Sequence, residues 1–377
     1  MNNKTTENLL QIIKSVLNTQ TISITGDIDW ADLIKLAQKH GVMAYVYHYV
    51  KSYAEICLDN STTSYLEKRY ASEVFRNVLQ MNAVEQLKGA FEKNNIISLF
   101  IKGAQTKKRY PNEILRSMGD IDFLYKAEQD KLLKTVMTDL GYKYESNGRV
   151  HDVYKKGESL IVEAHRELIS PSSSYEQFGL GIWERVRKTS DNNSVCIMSL
   201  EDEIIFNIIH LASHFKKGGA GIRFVIDIWI YRQIEADWLY IESELTKLDL
   251  LLFYKKVLSV AEKWFGNIDI MDDTITAMEQ YIVYGGIFGD SANKSNAVVA
   301  DGKIPYLKRV LFPPFKDMQS MFPWLKRKIM LPFAWGLRGV NSIISRRKNV
   351  KKLLGPVGKG NVEKGKELAA FYKECGL

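Results

Sequence analysis

The chain has 377 residues, room for two or three domains and a core of ordinary size. With 46% hydrophobic and 25% charged residues it reads as a soluble globular protein, which excludes a fibrous or disordered chain. The net charge of +8 is local: residues 303–353 hold thirteen Lys and Arg against Asp317 alone, an excess of twelve that leaves the rest at −4.

The first residues, MNNKTTENLL, lack the apolar core of a signal peptide, and no apolar run approaches the span of a bilayer, so a cytoplasmic location is expected. Cys57, Cys196 and Cys375 have neither metal-ligand nor disulfide spacing.

Residues 1–93 carry helical periodicity, in ADLIKLAQKHGVMAYVYHYV (31–50) and in SYLEKRYASEVFRNVLQMNAVEQLKGAF (64–91). Asp29 and either Ser61 or Thr62 are the expected helix N-caps. The texture then changes. IISLFIKG (96–103) and MGDIDFLY (118–125) read as buried strands, and AEQDKLLKTVMTDLGY (127–142) as an amphipathic helix closed by a glycine. KYESN, HDVYKKG and ESLIVEAHREL follow as strands joined by glycine-containing turns.

From about Leu200 the helical period returns, with helices expected over 200–217, 221–234, 237–248, 251–265 and 272–286. GGAG (218–221) has no strand before it and no Lys-Ser or Lys-Thr after it, so it reads as a helix-to-helix turn. The expected fold class is α+β: a small mixed sheet between helical subdomains. The expected divisions are 1–93 (helical), 94–170 (catalytic core), 171–302 (helical) and 303–377 (a basic Pro/Trp-rich extension).

The chemistry gathers in residues 100–125 and 163. Residues two apart on a strand share a face, so Asp120 and Asp122 project together. Two like charges that close need a cation between them, and Mg²⁺ is commonly held by one or two carboxylates plus substrate phosphates. Glu163, in the apolar run LIVEAHREL, is a third carboxylate of the same kind if its strand lies beside 118–125. Three carboxylates can hold two metal ions for phosphoryl or nucleotidyl transfer. Gly103, at a strand-to-helix junction, lets the backbone approach a phosphate. Lys102 adds a point charge there, and Lys107, Lys108, Arg109 and Arg116 are further candidates.

The sequence Lys102-Gly103, Tyr110-Pro111, Arg116, Asp120-Ile121-Asp122 and Glu163-Ala164-His165 resembles the motif set of the DNA polymerase β-like nucleotidyltransferase superfamily. It looks in particular like an uncharacterised bacterial branch of it. The resemblance is close over 96–168 and looser over the helical flanks. It implies transfer of a nucleoside monophosphate from an NTP to a hydroxyl acceptor, with Mg²⁺ or Mn²⁺ on Asp120 and Asp122 and Glu163 activating the acceptor. Gly103-Ala104 stands where the superfamily usually has Gly-Ser.

Other readings compete. The same scaffold could be a catalytically inactive module that binds nucleotide or a partner chain. His165 reads as a core histidine or as an orienter of Glu163. His210 and His214 stand one turn apart, but Leu211 occupies the place where a zinc protease needs Glu, so a packing role is expected. Arg223 and Asp227, at i and i+4, suggest an ion pair. The basic segment 303–353 interleaves aromatic and cationic residues. It fits an anionic membrane surface, a nucleic acid, or an irregular extension whose aromatics complete the helical core.

Overall fold

A computed structural model describes the chain except residues 1–2, 21, 23, 25–27, 53–55, 57, 148–150, 172, 189–193, 288, 323, 346–354 and 356. Cys57, Pro323 and the end of the basic segment therefore lie outside the described residues.

The N-terminal helices are α1 (Asn3–Leu17), α2 (Trp30–His40), α3 (Met43–Ser52) and α4 (Asn60–Lys93). Asp29 caps α2 as expected, accepting from the Asp32 N–H. The periodic stretch 31–50 is two helices because Gly41 takes a left-handed conformation (φ 66°) that ends α2. The cap of α4 is Asp59 rather than Ser61 or Thr62, and its carboxylate accepts from both of their backbone N–H groups. A carboxylate two or three residues upstream competes better for those free donors than the hydroxyls inside the first turn.

The sheet that follows has seven strands among the described residues, in the order β3-β4-β5-β2-β1-β7-β6. β1 (Ser98–Ile101) and β2 (Ile121–Tyr125) are antiparallel; β5 (Leu160–His165) runs parallel to β2; β3 (Lys143–Asn147) and β4 (His151–Lys156) complete that edge. The short helix α5 (Gly103–Thr106) follows β1, and α6 (Asp130–Asp139) lies between β2 and β3. The sequence had not suggested β6 (Arg187–Lys188) and β7 (Val195–Ile197); β7 pairs in parallel with β1. Strands of two and three residues are too short to carry a readable period.

The sheet is covered on both faces. Phe100, Ile121, Phe123 and Val162 pack with α4 and α6. Leu99, Ile101 and Leu124 face the larger core, which joins α1–α3 to α9 (Leu200–Lys216), α10 (Ile222–Arg232), α12 (Leu251–Phe265) and α13 (Asp273–Gly285). Helices from both ends of the chain thus share one core. GGAG is a turn, joining α9 to α10.

The basic segment is helical: α15 (Lys303–Leu311), α16 (Phe315–Met321) and α17 (Leu331–Ser345). Met318, Leu325 and Ala334, with Phe315, Phe322 and Trp335 against them, form a small cluster of their own and do not complete the main core. The helix Val362–Glu374 does reach that core, where the Tyr372 hydroxyl lies 2.7 Å from the Tyr281 hydroxyl. No helix among the described residues is long and apolar enough to cross a membrane.

Candidate active site

Parallel pairing of β2 with β5 places Asp122 directly opposite Glu163. Alternation along β2 sends Ile121 and Phe123 into the core beneath, leaving Asp122 on the face of Leu124, toward the α9–α10 side. Asp120, one residue before the strand, and Lys102, one residue after β1, join them at the edge of a cavity of about 490 Å³. All four residues line it. Lys102 has φ 52°, an uncommon value for a residue with a side chain. From there its ammonium donates to Asp122 Oδ1 at 2.5 Å.

The carboxylates differ in electrostatics. Burial, then Asp122 and Glu163, push the Asp120 carboxyl up to about 6. Asp122 is 2% exposed, and burial alone would raise it too. Lys102 and His165, whose Nε2 lies 2.9 Å from Oδ1, instead hold it well below the usual carboxylate range. Burial raises Glu163, but the His165 hydrogen bond, His151 and Lys102 together outweigh it and hold the carboxyl down. Lys102 is raised because Asp122, Glu163 and Asp120 together outweigh its burial.

His165 is therefore both buried and a partner of the carboxylates. His151, which the sequence reading passed over, stands opposite His165 on β4. The donor atoms of His151, Glu163 and His165 all lie within 4.8 Å of one another, a group able to hold a metal. Asp122 reaches that group through His165. Only the cross-strand register joins His151 to the others, and no local motif signals it.

The remaining expected residues fall elsewhere. Arg116 is not among the cavity-lining residues: it is 4% exposed, and its Nε and Nη2 donate to the two Asp227 oxygens at 3.0 and 2.9 Å. The Tyr110 hydroxyl donates to the same carboxylate at 2.5 Å. Tyr110 and Arg116 thus tie the loop between β1 and β2 to α10. The expected Arg223–Asp227 ion pair does not form, because Arg116 occupies both oxygens of Asp227. Gly103 is buried beneath Met118 and does not line the cavity. Lys107 bonds Asn77, and Arg109 pairs with Glu203 at 2.7 Å.

Two other walls were not anticipated. His210 and His214 contact each other edge to face, with centroids 4.4 Å apart, and line the cavity beside Phe224. Burial lowers both, His214 to about 4, so they are neutral at physiological pH. Arg69, Glu73 and Arg76 of α4 and Arg223 of α10 also face the cavity.

No curated protein and no solved structure matches the chain. A protein-family comparison matches residues 26–266, well over half the chain and all of the cavity's carboxylates, and so the protein belongs to a family described as uncharacterised nucleotidyltransferases.

Proposed function

We propose that this cavity moves a nucleoside monophosphate from an NTP to a hydroxyl acceptor, using Mg²⁺ or Mn²⁺ held by Asp120, Asp122 and Glu163. Family membership supports nucleotidyl transfer in general. One observation carries the finer reading: Asp122 and Glu163 are register partners, lining the same cavity as Asp120 and Lys102. The wider likeness to the DNA polymerase β-like superfamily belongs to the same reading.

The residues fit a hard divalent cation. Three carboxylates meet at one cavity, and Asp120 is raised by burial and then by Asp122 and Glu163, whose like charge a cation would offset. Such a cation would neutralise the phosphates and the developing charge of the transition state. The protein's own groups position the rest. Lys102 and His165 keep Asp122 ionised. Glu163, also held ionised, is placed to accept a hydrogen bond from the acceptor hydroxyl. The hydroxyl oxygen forms the new bond to the α-phosphorus, the bond to pyrophosphate breaks, and the hydroxyl proton leaves to Glu163 or to water.

The test is incubation with each α-labelled NTP and Mg²⁺ or Mn²⁺, with and without cell extract. Label transfer that disappears in Asp120→Ala supports the reading, whereas wild-type transfer by an Asp120→Ala/Asp122→Ala double variant removes it. Nucleotide binding with no product across a broad acceptor panel would favour the inactive-module alternative.

The basic segment supports a separate reading, an anionic membrane surface as partner. Ile304, Phe312, Ile329 and Phe333 are each more than half exposed among Lys303, Lys308, Arg309 and Lys326 to Lys328. Apolar side chains add nothing to binding a phosphodiester backbone, but they insert into a lipid interface. Salt-sensitive sedimentation with phosphatidylserine vesicles, and none with phosphatidylcholine, is expected. Equal binding to double-stranded DNA would overturn the choice.

A further inference from the structure

The turn expected to hold phosphates is closed. A Cβ at Gly103 would lie 2.7 Å from Met118 Cγ and 2.9 Å from its Sδ, so a side chain already fills the space a phosphate would enter. The helix beginning there has four residues, too few to gather a useful dipole. Lys102 is engaged with Asp122, and Lys107, Arg109 and Arg116 are bonded to Asn77, Glu203 and Asp227. Four of the five cations near the motif, all but Lys108, are thus used within the protein.

The cavity has other cations. Arg223, the second residue of α10, donates through Nη1 to the Ser117 carbonyl at 2.9 Å and, more weakly, to its hydroxyl at 3.3 Å. Its Nε is buried without a partner, and among the described residues it makes no ion pair. The carboxylate it would ordinarily take, Asp227, belongs to Arg116. Asp227 and Asp120 act on it without pairing with it, so its buried Nε donor is unfilled, and a planar fork suits phosphate oxygens. Burial and the nearby Arg116 lower Arg223 only to about 10, so it stays charged at neutral pH. Arg69 and Arg76, seven residues apart on α4, line the same cavity and make no ion pair among the described residues. Seven residues is two helical turns, so both fall on one face. Glu73 lies between them, and burial raises its carboxyl to about 7, which weakens its repulsion of an anion.

We propose that Arg223, supported by Arg76 and Arg69, grips the β and γ phosphates of the NTP and the departing pyrophosphate. The grip thus comes from α10 and α4 rather than from the Gly103 turn. The inference rests on the nucleotidyltransferase reading and adds residues to it. Arginines on two helices and carboxylates on the sheet edge give the cavity two opposite charges, which would orient a triphosphate with its α-phosphorus toward Asp120 and Asp122.

Calorimetry on the full chain with Mg²⁺ tests it, using NTPs, the corresponding NMPs and inorganic pyrophosphate as titrants. Arg223→Met should weaken NTP and pyrophosphate by at least about thirtyfold, the loss typical of truncating one side of a buried charge contact. NMP affinity should stay within about threefold, because the α-phosphate is held elsewhere. Arg223→Lys should recover part of the loss. Arg76→Met, on an exposed part of α4, should weaken pyrophosphate without disturbing the fold, which keeps the test meaningful if Arg223→Met is unstable. Wild-type affinity for pyrophosphate in both Met variants, or equal losses for NMP and NTP, would overturn the proposal while leaving nucleotidyl transfer intact. A wild-type protein that binds no NTP at all would overturn both.

Discussion

Arg116 and Asp227 form a buried, two-pronged ion pair, each about 5% exposed or less, that joins the loop before β2 to the middle of α10. Arg116 stands four residues before Asp120, so the pair anchors to α10 the loop that leads into β2. It also takes from Arg223 the carboxylate its i, i+4 spacing would otherwise have given it. Arg116→Met should therefore cost about 3–5 kcal/mol in denaturant unfolding, since it leaves the buried Asp227 with the Tyr110 hydroxyl but without the guanidinium that bonds both its oxygens. A cost below about 1 kcal/mol, the value of an exposed pair, would contradict this account.

Asp120 separates activity from stability. Its carboxyl is raised to about 6 in the fold, above an ordinary value near 3.8. A raised acid favours the fold when protonated, so its contribution is lost as pH climbs from about 4 through 6. Asp120→Asn should consequently gain about 1–3 kcal/mol at pH 8 without divalent cation. Its transfer activity should fall at least about a hundredfold. Thermal melts with and without Mg²⁺ check both halves, with Mg²⁺ raising the wild-type Tm more than the variant's.

His40 predicts an acid-side loss of stability. Its Nδ1 accepts from the Ile222 N–H at 3.0 Å while Nε2 donates to the Val283 carbonyl at 3.1 Å, so the ring is neutral and locks α2 to α10 and α13. Burial, then Lys39, lower it to about 4 from an ordinary 6.5. The unfolded chain takes up the proton first, so stability is full above pH 6.5 and declines as pH falls toward 4. His210 and His214 act in the same direction, which makes the difference from a variant the useful measurement. The stability gap between wild type and His40→Gln should narrow by about 2 kcal/mol between pH 7.5 and 5. A gap that does not change with pH would show that His40 does not titrate as described.

The two parts of the C-terminal region should behave differently. Deleting 362–377 removes Tyr372 and Cys375 from the core and should cost at least about 3 kcal/mol. Replacing Lys326, Arg327 and Lys328 by Ser should leave unfolding within about 0.5 kcal/mol, since these side chains are exposed. Circular dichroism melts of the two variants give the comparison.

The sequence alone supplied the strand–helix order around β1, β2 and β5, the helices from Leu200 onward, and the closeness of Asp120 to Asp122 along the chain. These are local properties, because period and alternation are written into neighbouring residues. The tertiary structure decided what lies far apart in the chain. It set Glu163 beside Asp122 by strand register and brought His151 to His165 across β4 and β5. It also gave Asp227 to Arg116 instead of Arg223. A carboxylate pairs with whichever guanidinium the packing brings within reach, and a spacing of four along one helix cannot exclude a competitor from a loop 111 residues away.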